Sequence, residues 1–138
     1  MTIISEWNQA IVEEFRANGG NVGGRFTDRT LLLLHTIGRN SGEERINPLA
    51  YVQDDGRYVI IASKGGADAH PDWYYNLTSH PDVTIEVGVD TFPVHAKEAQ
   101  EPERTRLYEK MIEMMPAFAD YRQKAARVIP VFILTKTG

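Results

Sequence analysis

The stretch TLLLLHTIGRNSGEERINPLAYVQDDGRYVIIAS, residues 30–63, reads as three strands separated by two turns. Its first part, 30–37, is an apolar run that closes at Gly38-Arg39-Asn40-Ser41-Gly42, a cluster of turn-forming residues. Residues 45–53 and 57–63 make the next two runs, and the Asp54-Asp55-Gly56 turn between them contains the Asp-Gly pair that suits a tight hairpin. Three antiparallel strands are therefore expected to begin the fold.

Upstream, 3–16 places Ile4, Trp7, Ile11 and Phe15 at helical spacing with Glu6, Glu13, Glu14 and Arg16 elsewhere on the wheel, which predicts an amphipathic helix. Asn18-Gly19-Gly20 stops it and Gly23-Gly24 prolongs the break, so 1–24 reads as a helix on a flexible hinge. Downstream, 71–79 reads as a short helix with Pro71 in its first turn, where no donor is lost. Residues 82–87 alternate, with Val83, Ile85 and Val87 on one face, and 91–98 returns as a further strand after a turn at Gly88. A helix over 102–115 carries Leu107, Met111, Met114 and Met115, Pro116 breaks it, and a second helix spans 117–127. The last strand is 128–135, where Pro130 predicts an edge position or a bulge. The fold class is mainly β (α+β), with about six antiparallel strands and peripheral helices. A small barrel would remove exposed edges, but the pattern alone describes an open α+β sheet equally well.

At 138 residues and 42% hydrophobic content the chain fits one domain, 1–138. Fifteen Lys and Arg against nineteen Asp and Glu leave a charge of −4 with no basic block, which argues against nucleic acid as a partner. The absence of cysteine excludes disulfides, zinc–thiolate sites and thiol nucleophiles. No apolar run approaches the roughly 20 residues that span a bilayer, and the acidic start is unlike a secretory signal, so a cytoplasmic protein is expected.

There is no Gly-x-Gly-x-x-Gly after the first strand, no Walker loop, no Gly-x-Ser-x-Gly elbow and no His-Glu-x-x-His. His35, His70, His80 and His95 stand singly, and no metal site is expected. Three clusters remain. Arg39, Ser41 and Gly42, with Arg45 and Asn47 just beyond, join two guanidinium groups to a glycine turn; such a turn suits an anionic ligand, although turns of this composition are more often ordinary polar hairpins. Ser63-Lys64-Gly65-Gly66-Ala67 follows a strand and leads to the helix of Trp73, Tyr74 and Asn76. A lysine and free amides there favour a negatively charged ring, whereas the plainer reading is a solvated loop with Trp73 in the core. Met114, Met115, Pro116, Phe118 and Tyr121 read mostly as core, with the Tyr121 phenol a candidate proton donor.

Taken in series, Thr36-Ile37-Gly38-Arg39-Asn40-Ser41-Gly42, Arg45-Ile46-Asn47-Pro48-Leu49, Ala62-Ser63-Lys64-Gly65-Gly66-Ala67 and Pro71-Asp72-Trp73-Tyr74-Tyr75-Asn76-Leu77 resemble the deazaflavin-dependent nitroreductase family of actinobacteria. The resemblance runs from about Leu31 to the last strand. It implies a split β-barrel and coenzyme F-420, with hydride passed to an electron-poor small molecule: a nitro compound, a quinone or an activated enone such as a coumarin. By resemblance, Arg39, Ser41, Gly42 and Arg45 belong to the turn that holds the phosphate and polyglutamate tail. Asn47 and Pro48 line the ring, Ala62, Ser63, Lys64 and Gly65 present amides to it, and Trp73 and Asn76 lie on the helix that closes over it.

Members that reduce bulky nitroimidazoles bring several tyrosines to the substrate face, where this chain has Ala50, Met115 and Phe118 and keeps a hydroxyl only at Tyr121. Proton donation then falls to Tyr121, Ser63 or solvent. The family's N-terminal segment sometimes favours membranes; here its acidic charge argues for weak, peripheral association at most, while Trp7, Ile11 and Phe15 are candidates to cover the substrate pocket. The alternatives are the same barrel with FMN, as in pyridoxamine-phosphate-oxidase relatives, and a non-catalytic deazaflavin carrier. Related barrels often dimerise, and monomer and homodimer both stay open.

Overall fold

In the computed structural model, which describes residues 2–20 and 31–137 without the side chains of Thr2, Ile3, Glu6 and Trp7, the leucine run of β2 (Leu31–Ile37) divides between two cores. Leu32 and Leu34 face one side and Leu31 and Leu33 the other, as the period of two demands. The sheet order is β1-β3-β2-β6-β7-β8-β5-β4, where β1 is Thr2–Ile3, β3 Glu44–Ala50, β4 Val52–Asp54, β5 Arg57–Ile61, β6 Asp82–Val87, β7 Asp90–Glu98 and β8 Val131–Lys136. All pairings are antiparallel except the short β1, which runs parallel to β3 through Thr2↔Glu44 and Ile3↔Arg45. Only Tyr51 separates β3 from β4, yet the two lie near opposite ends of the sheet order. They are one strand bent at Tyr51, and the bend closes six strands into a split β-barrel.

The barrel interior is filled by Leu32, Leu34, Ile60, Val83, Ile85, Val94, Ala96, Phe132 and Leu134. Helix α2 (Asp72–Ser79) adds Trp73 and Leu77 to that interior cluster. Outside, α3 (Glu103–Met114) and α4 (Ala117–Lys124) pack Leu107, Tyr108, Met111 and Phe118 over Val52, Val59, Ile61, Val131 and Ile133. The buried Tyr108 hydroxyl donates to the Phe118 carbonyl at 2.7 Å, and burial pushes this phenol up to about 12. On another face α1 (Glu6–Ala17) sets Val12 and Phe15 on Leu31, Leu33 and Ile46.

Several expectations shift. The first helix begins at Glu6 behind a Ser5 cap, because Thr2–Ile3 is taken by β1. Ile11 and Phe15 pack on β2 and β3 and line neither of the cavities beside α2, while the Trp7 side chain and residues 21–24 of the expected hinge lie outside the described residues. Gly20, at φ +96°, approaches Gly88 so closely that a Cβ would stand 2.7 Å from the Gly88 Cα, which seats the end of α1 against the β6–β7 turn. The run 45–53 is two strands, and 117–127 is helical only to Lys124. Pro130 is neither an edge nor a bulge residue. It precedes β8, an inner strand, so it costs the ladder no donor, and its carbonyl accepts from the Ala62 amide at 3.0 Å.

Candidate functional site

Two cavities flank α2, and the helical period distributes its residues between them. Asp72, Tyr75 and Asn76, at spacings of three and four, border one; Trp73 borders the other.

The first cleft, about 220 Å³, lies between α2 and the β2–β3 turn and is lined by Gly38, Arg39, Asn40, Ser41 and Arg45. The turn is held by the Gly38 amide on the Glu43 carbonyl and the Gly42 amide on the Gly38 carbonyl, both 2.8 Å. A side chain at 38 would displace its neighbours, since a Cβ there would lie 2.5 Å from the Ser41 hydroxyl and 3.2 Å from Arg45 Nε. Asn76 is buried and anchors the turn to α2, its Oδ1 accepting from the Arg39 amide at 3.1 Å and its Nδ2 donating to Thr36 Oγ1 at 3.4 Å. The Arg39 guanidinium rests 4.4 Å from the centre of the Tyr75 ring. Neither Arg39 nor Arg45 has a carboxylate partner among the described residues. The arrangement suits a ligand with several anionic oxygens.

The second cavity, about 320 Å³, is lined by Pro48, Leu49, Ala50, Trp73, Met115 and Phe118, by the Ser63–Gly65 turn and by Tyr121. Lys64, Gly65 and Gly66 have φ of +48°, +65° and +87°, a left-handed turn that a lysine enters only under constraint. Gly66 supplies that constraint, because a Cβ on it would lie 3.0 Å from the Tyr121 Cα. A Cβ on Gly65 would meet nothing within 4 Å. The amides of Ser63, Lys64 and Gly65 have no acceptor among the described residues, which makes the turn a concavity of N–H groups suited to an anion or an electron-rich ring. Behind the turn, Arg127 donates to the carbonyls of Ala62, Ser63 and Ala67 and to His70 Nδ1, all within 3.0–3.1 Å. Burial and the adjacent guanidinium hold His70 below the usual imidazole range. Tyr121 packs edge-on against Phe118 at 5.1 Å and is partly exposed, and its hydroxyl has no partner among the described residues.

The expected residues thus fall into two groups. Arg39, Ser41, Arg45 and Asn76 meet at the cationic cleft, and Pro48, Ser63, Lys64, Gly65, Trp73 and Tyr121 at the apolar one. Gly42 and Asn47 line neither, Asn47 standing opposite Leu34 in the β2–β3 pairing. The Ala62 amide is unavailable to a ligand because it bonds to Pro130. Trp73 serves both readings, since it is buried against Phe132 while one side borders the cavity. Sequence reasoning passed over Asp72, Tyr75 and Arg127. Tyr75 was recoverable from its helical spacing to Asp72, whereas Arg127 binds backbone carbonyls, which leave no mark in a sequence.

Residues 7–136 match the family described as F420H(2)-dependent quinone reductase. An F420H(2)-dependent quinone reductase of Mycobacterium tuberculosis is 38% identical over 126 residues, covering 88% of this chain and 85% of that protein. A solved F420-H2 dependent reductase (FDR-A) is 38% identical with a TM-score of 0.71, covering 81% of this chain and 99% of the other. A structure described as a domain-swapped dimer is 35% identical with a TM-score of 0.73, covering 94% and 97%. The haem storage protein HutZ of Vibrio cholerae, at 17% identity and a TM-score of 0.63, shares the fold. The chain belongs to the F420H(2)-dependent quinone reductase family and is an oxidoreductase whose cofactor is coenzyme F-420.

Proposed function

We propose that the acceptor is a flat, apolar quinone bound in the second cavity, and that the two cavities divide the cofactor between them. The carrying observation is that one short helix, α2, joins a cleft with two guanidinium groups paired to no carboxylate to an apolar cavity edged by three amides without an acceptor, both among the described residues. Arg39, Arg45 and Ser41 are suited to the anionic tail, with Asn76 fixing their turn. Ser63, Lys64 and Gly65 direct amides to the ring, and Pro48 and Trp73 wall it. Bound in its reduced form, the coenzyme supplies a hydride.

Reducing a quinone to a hydroquinone takes that hydride and one proton. Tyr121 is the proton donor in this reading: its hydroxyl borders the cavity, is engaged by no described residue, and is open enough to solvent to be reprotonated. Ala50, Met115 and Phe118 make the acceptor's surroundings apolar, which excludes water and favours an uncharged ring.

The test is to mix purified protein with reduced coenzyme F-420 and menadione and follow cofactor oxidation, with FMN binding titrated in parallel. Turnover is expected, with weak FMN binding. Tyr121→Phe is expected to lower kcat about tenfold at unchanged KM for the coenzyme. Coenzyme binding without turnover on any quinone would make the protein a carrier, and an unchanged kcat in Tyr121→Phe would remove that phenol from the mechanism.

A further inference from the structure

The segment between α4 and β8 places Arg127 behind the Ser63–Gly65 turn, half-buried and with no carboxylate partner among the described residues. Its partners are unusual for a guanidinium. Nη2 donates to the Ala62 carbonyl at 3.0 Å and to the Ser63 carbonyl at 3.1 Å, Nε to the Ala67 carbonyl at 3.0 Å, and Nη1 to His70 Nδ1 at 3.0 Å. The peptides joining 62–63 and 63–64 are trans, since the one cis bond among the described residues is Glu101–Pro102. In a trans peptide the carbonyl and the N–H point in opposite directions from one plane. A cation that holds the carbonyls of 62 and 63 therefore turns the N–H groups of Ser63 and Lys64 away from itself. It also polarises both peptides, which makes those N–H groups stronger donors. Two further contacts fix the assembly: the Ala126 amide donates to Asp68 Oδ1 at 2.7 Å, and Gly66 abuts the Tyr121 backbone.

We propose that Arg127 is a positioning residue that orients and polarises the peptides before Ser63 and Lys64, so that the turn binds the reduced cofactor ring, whose negative charge is concentrated at its pyrimidine end, in preference to the oxidised one, whose charge is shared with the ionised 8-hydroxyl at the far end. The inference rests on the reading that this turn faces the ring. Both carbonyls accept from one nitrogen, Nη2, whose two hydrogens are held in a fixed plane by the Nε contact to Ala67 and the Nη1 contact to His70; the freely rotating ammonium of a lysine lacks those anchors and does not keep that orientation.

The experiment measures dissociation constants for oxidised and reduced coenzyme F-420, the latter anaerobically, in wild type, Arg127→Met, Arg127→Lys, Ser63→Ala and Ser63→Pro. Ser63 has φ −79°, which proline adopts, so Ser63→Pro compared with Ser63→Ala removes the amide while φ is retained. Arg127→Met is expected to shift the reduced-to-oxidised preference about tenfold toward the oxidised form, with Arg127→Lys restoring little of it. Equal weakening of both forms in Arg127→Met, with a shifted preference in Ser63→Pro, would overturn the role of Arg127 and leave the turn as the ring's partner. If Ser63→Pro binds both forms as Ser63→Ala does, the turn is not the ring's partner and both ideas fall. Where Arg127→Met does not fold, Arg127→Lys decides, and a wild-type preference in it overturns the inference.

Discussion

Two cationic clusters sit on this barrel, and they differ in whether a carboxylate answers them. At the β4–β5 turn, Asp54 receives Arg57 Nη2 at 2.9 Å, both Arg106 Nη groups at 3.0 Å and Lys110 Nζ at 3.2 Å. At the β2–β3 turn, Arg39 and Arg45 have no carboxylate partner among the described residues and border an open cleft. The first cluster ties α3 to the hairpin, so its charge is spent on the fold. The second leaves its charge available, so folding gains little from it and a polyanionic ligand gains much.

The largest expected effect is on the open cluster. Replacing Arg39 and Arg45 together by alanine is expected to weaken coenzyme F-420 binding about 100-fold, two charge-assisted contacts' worth, with thermal stability unchanged. A fluorescence titration beside a melting curve reads both quantities, and a large fall in melting temperature would show that these arginines hold the fold instead.

The spent cluster should answer in reverse. Asp54→Asn is expected to cost about 2 kcal/mol of stability in urea denaturation and to leave coenzyme affinity unchanged. A fully buried pair would cost more, but Arg106 and Lys110 are 54% and 41% exposed, so solvent takes up part of the loss. Arg106 above all, against the opposing effect of burial and with help from Lys110 and Arg57, holds the Asp54 carboxyl well below the usual carboxylate range. A depressed folded-state value stabilises above the unfolded pKa of about 4 and fades as pH falls below it. The gap between wild type and Asp54→Asn should therefore narrow from pH 5 downward, and a gap independent of pH would detach the effect from this ionisation.

What was legible in the sequence follows the same division. Strands with alternating burial, such as Val83, Ile85 and Val87, and the glycine-marked turn at Gly38 and Gly42 carry local signals, so the barrel strands and the cationic turn could be placed from residues alone. The bend at Tyr51 could not, because no glycine or proline marks it and it arises from closing the barrel. Asn76 was placed at the cofactor by resemblance, whereas its side chain is occupied in tethering the β2–β3 turn. The Asp54 cluster joins residues up to 56 apart in the chain, and that distance hides it from any local motif.

A third cluster tests whether pairing, rather than charge, is what separates the two. Glu86 on β6 accepts from Arg16 Nε at 3.1 Å and Nη2 at 2.7 Å and lies 2.6 Å from His35 Nε2, tying α1 to the sheet away from both cavities. Burial alone would raise its pKa, but the hydrogen bonds from Arg16 and His35 outweigh it and hold the carboxyl below the ordinary glutamate range. Its contribution is therefore present above the unfolded value of about 4.3 and fades as pH falls below it. Because Arg16 is 47% exposed and glutamine retains one acceptor, Glu86→Gln is expected to cost about 0.5–1 kcal/mol at pH 7, less at pH 4, and nothing in coenzyme affinity. Urea denaturation at the two pH values measures the first two quantities, and a titration with the coenzyme measures the third. Lost coenzyme affinity in this variant would mean that the seating of α1 reaches the cavities through Leu31, which packs in the α1 core and also lines the apolar cavity. Paired and unpaired charges would then no longer divide cleanly into those that hold the fold and those that hold the ligand.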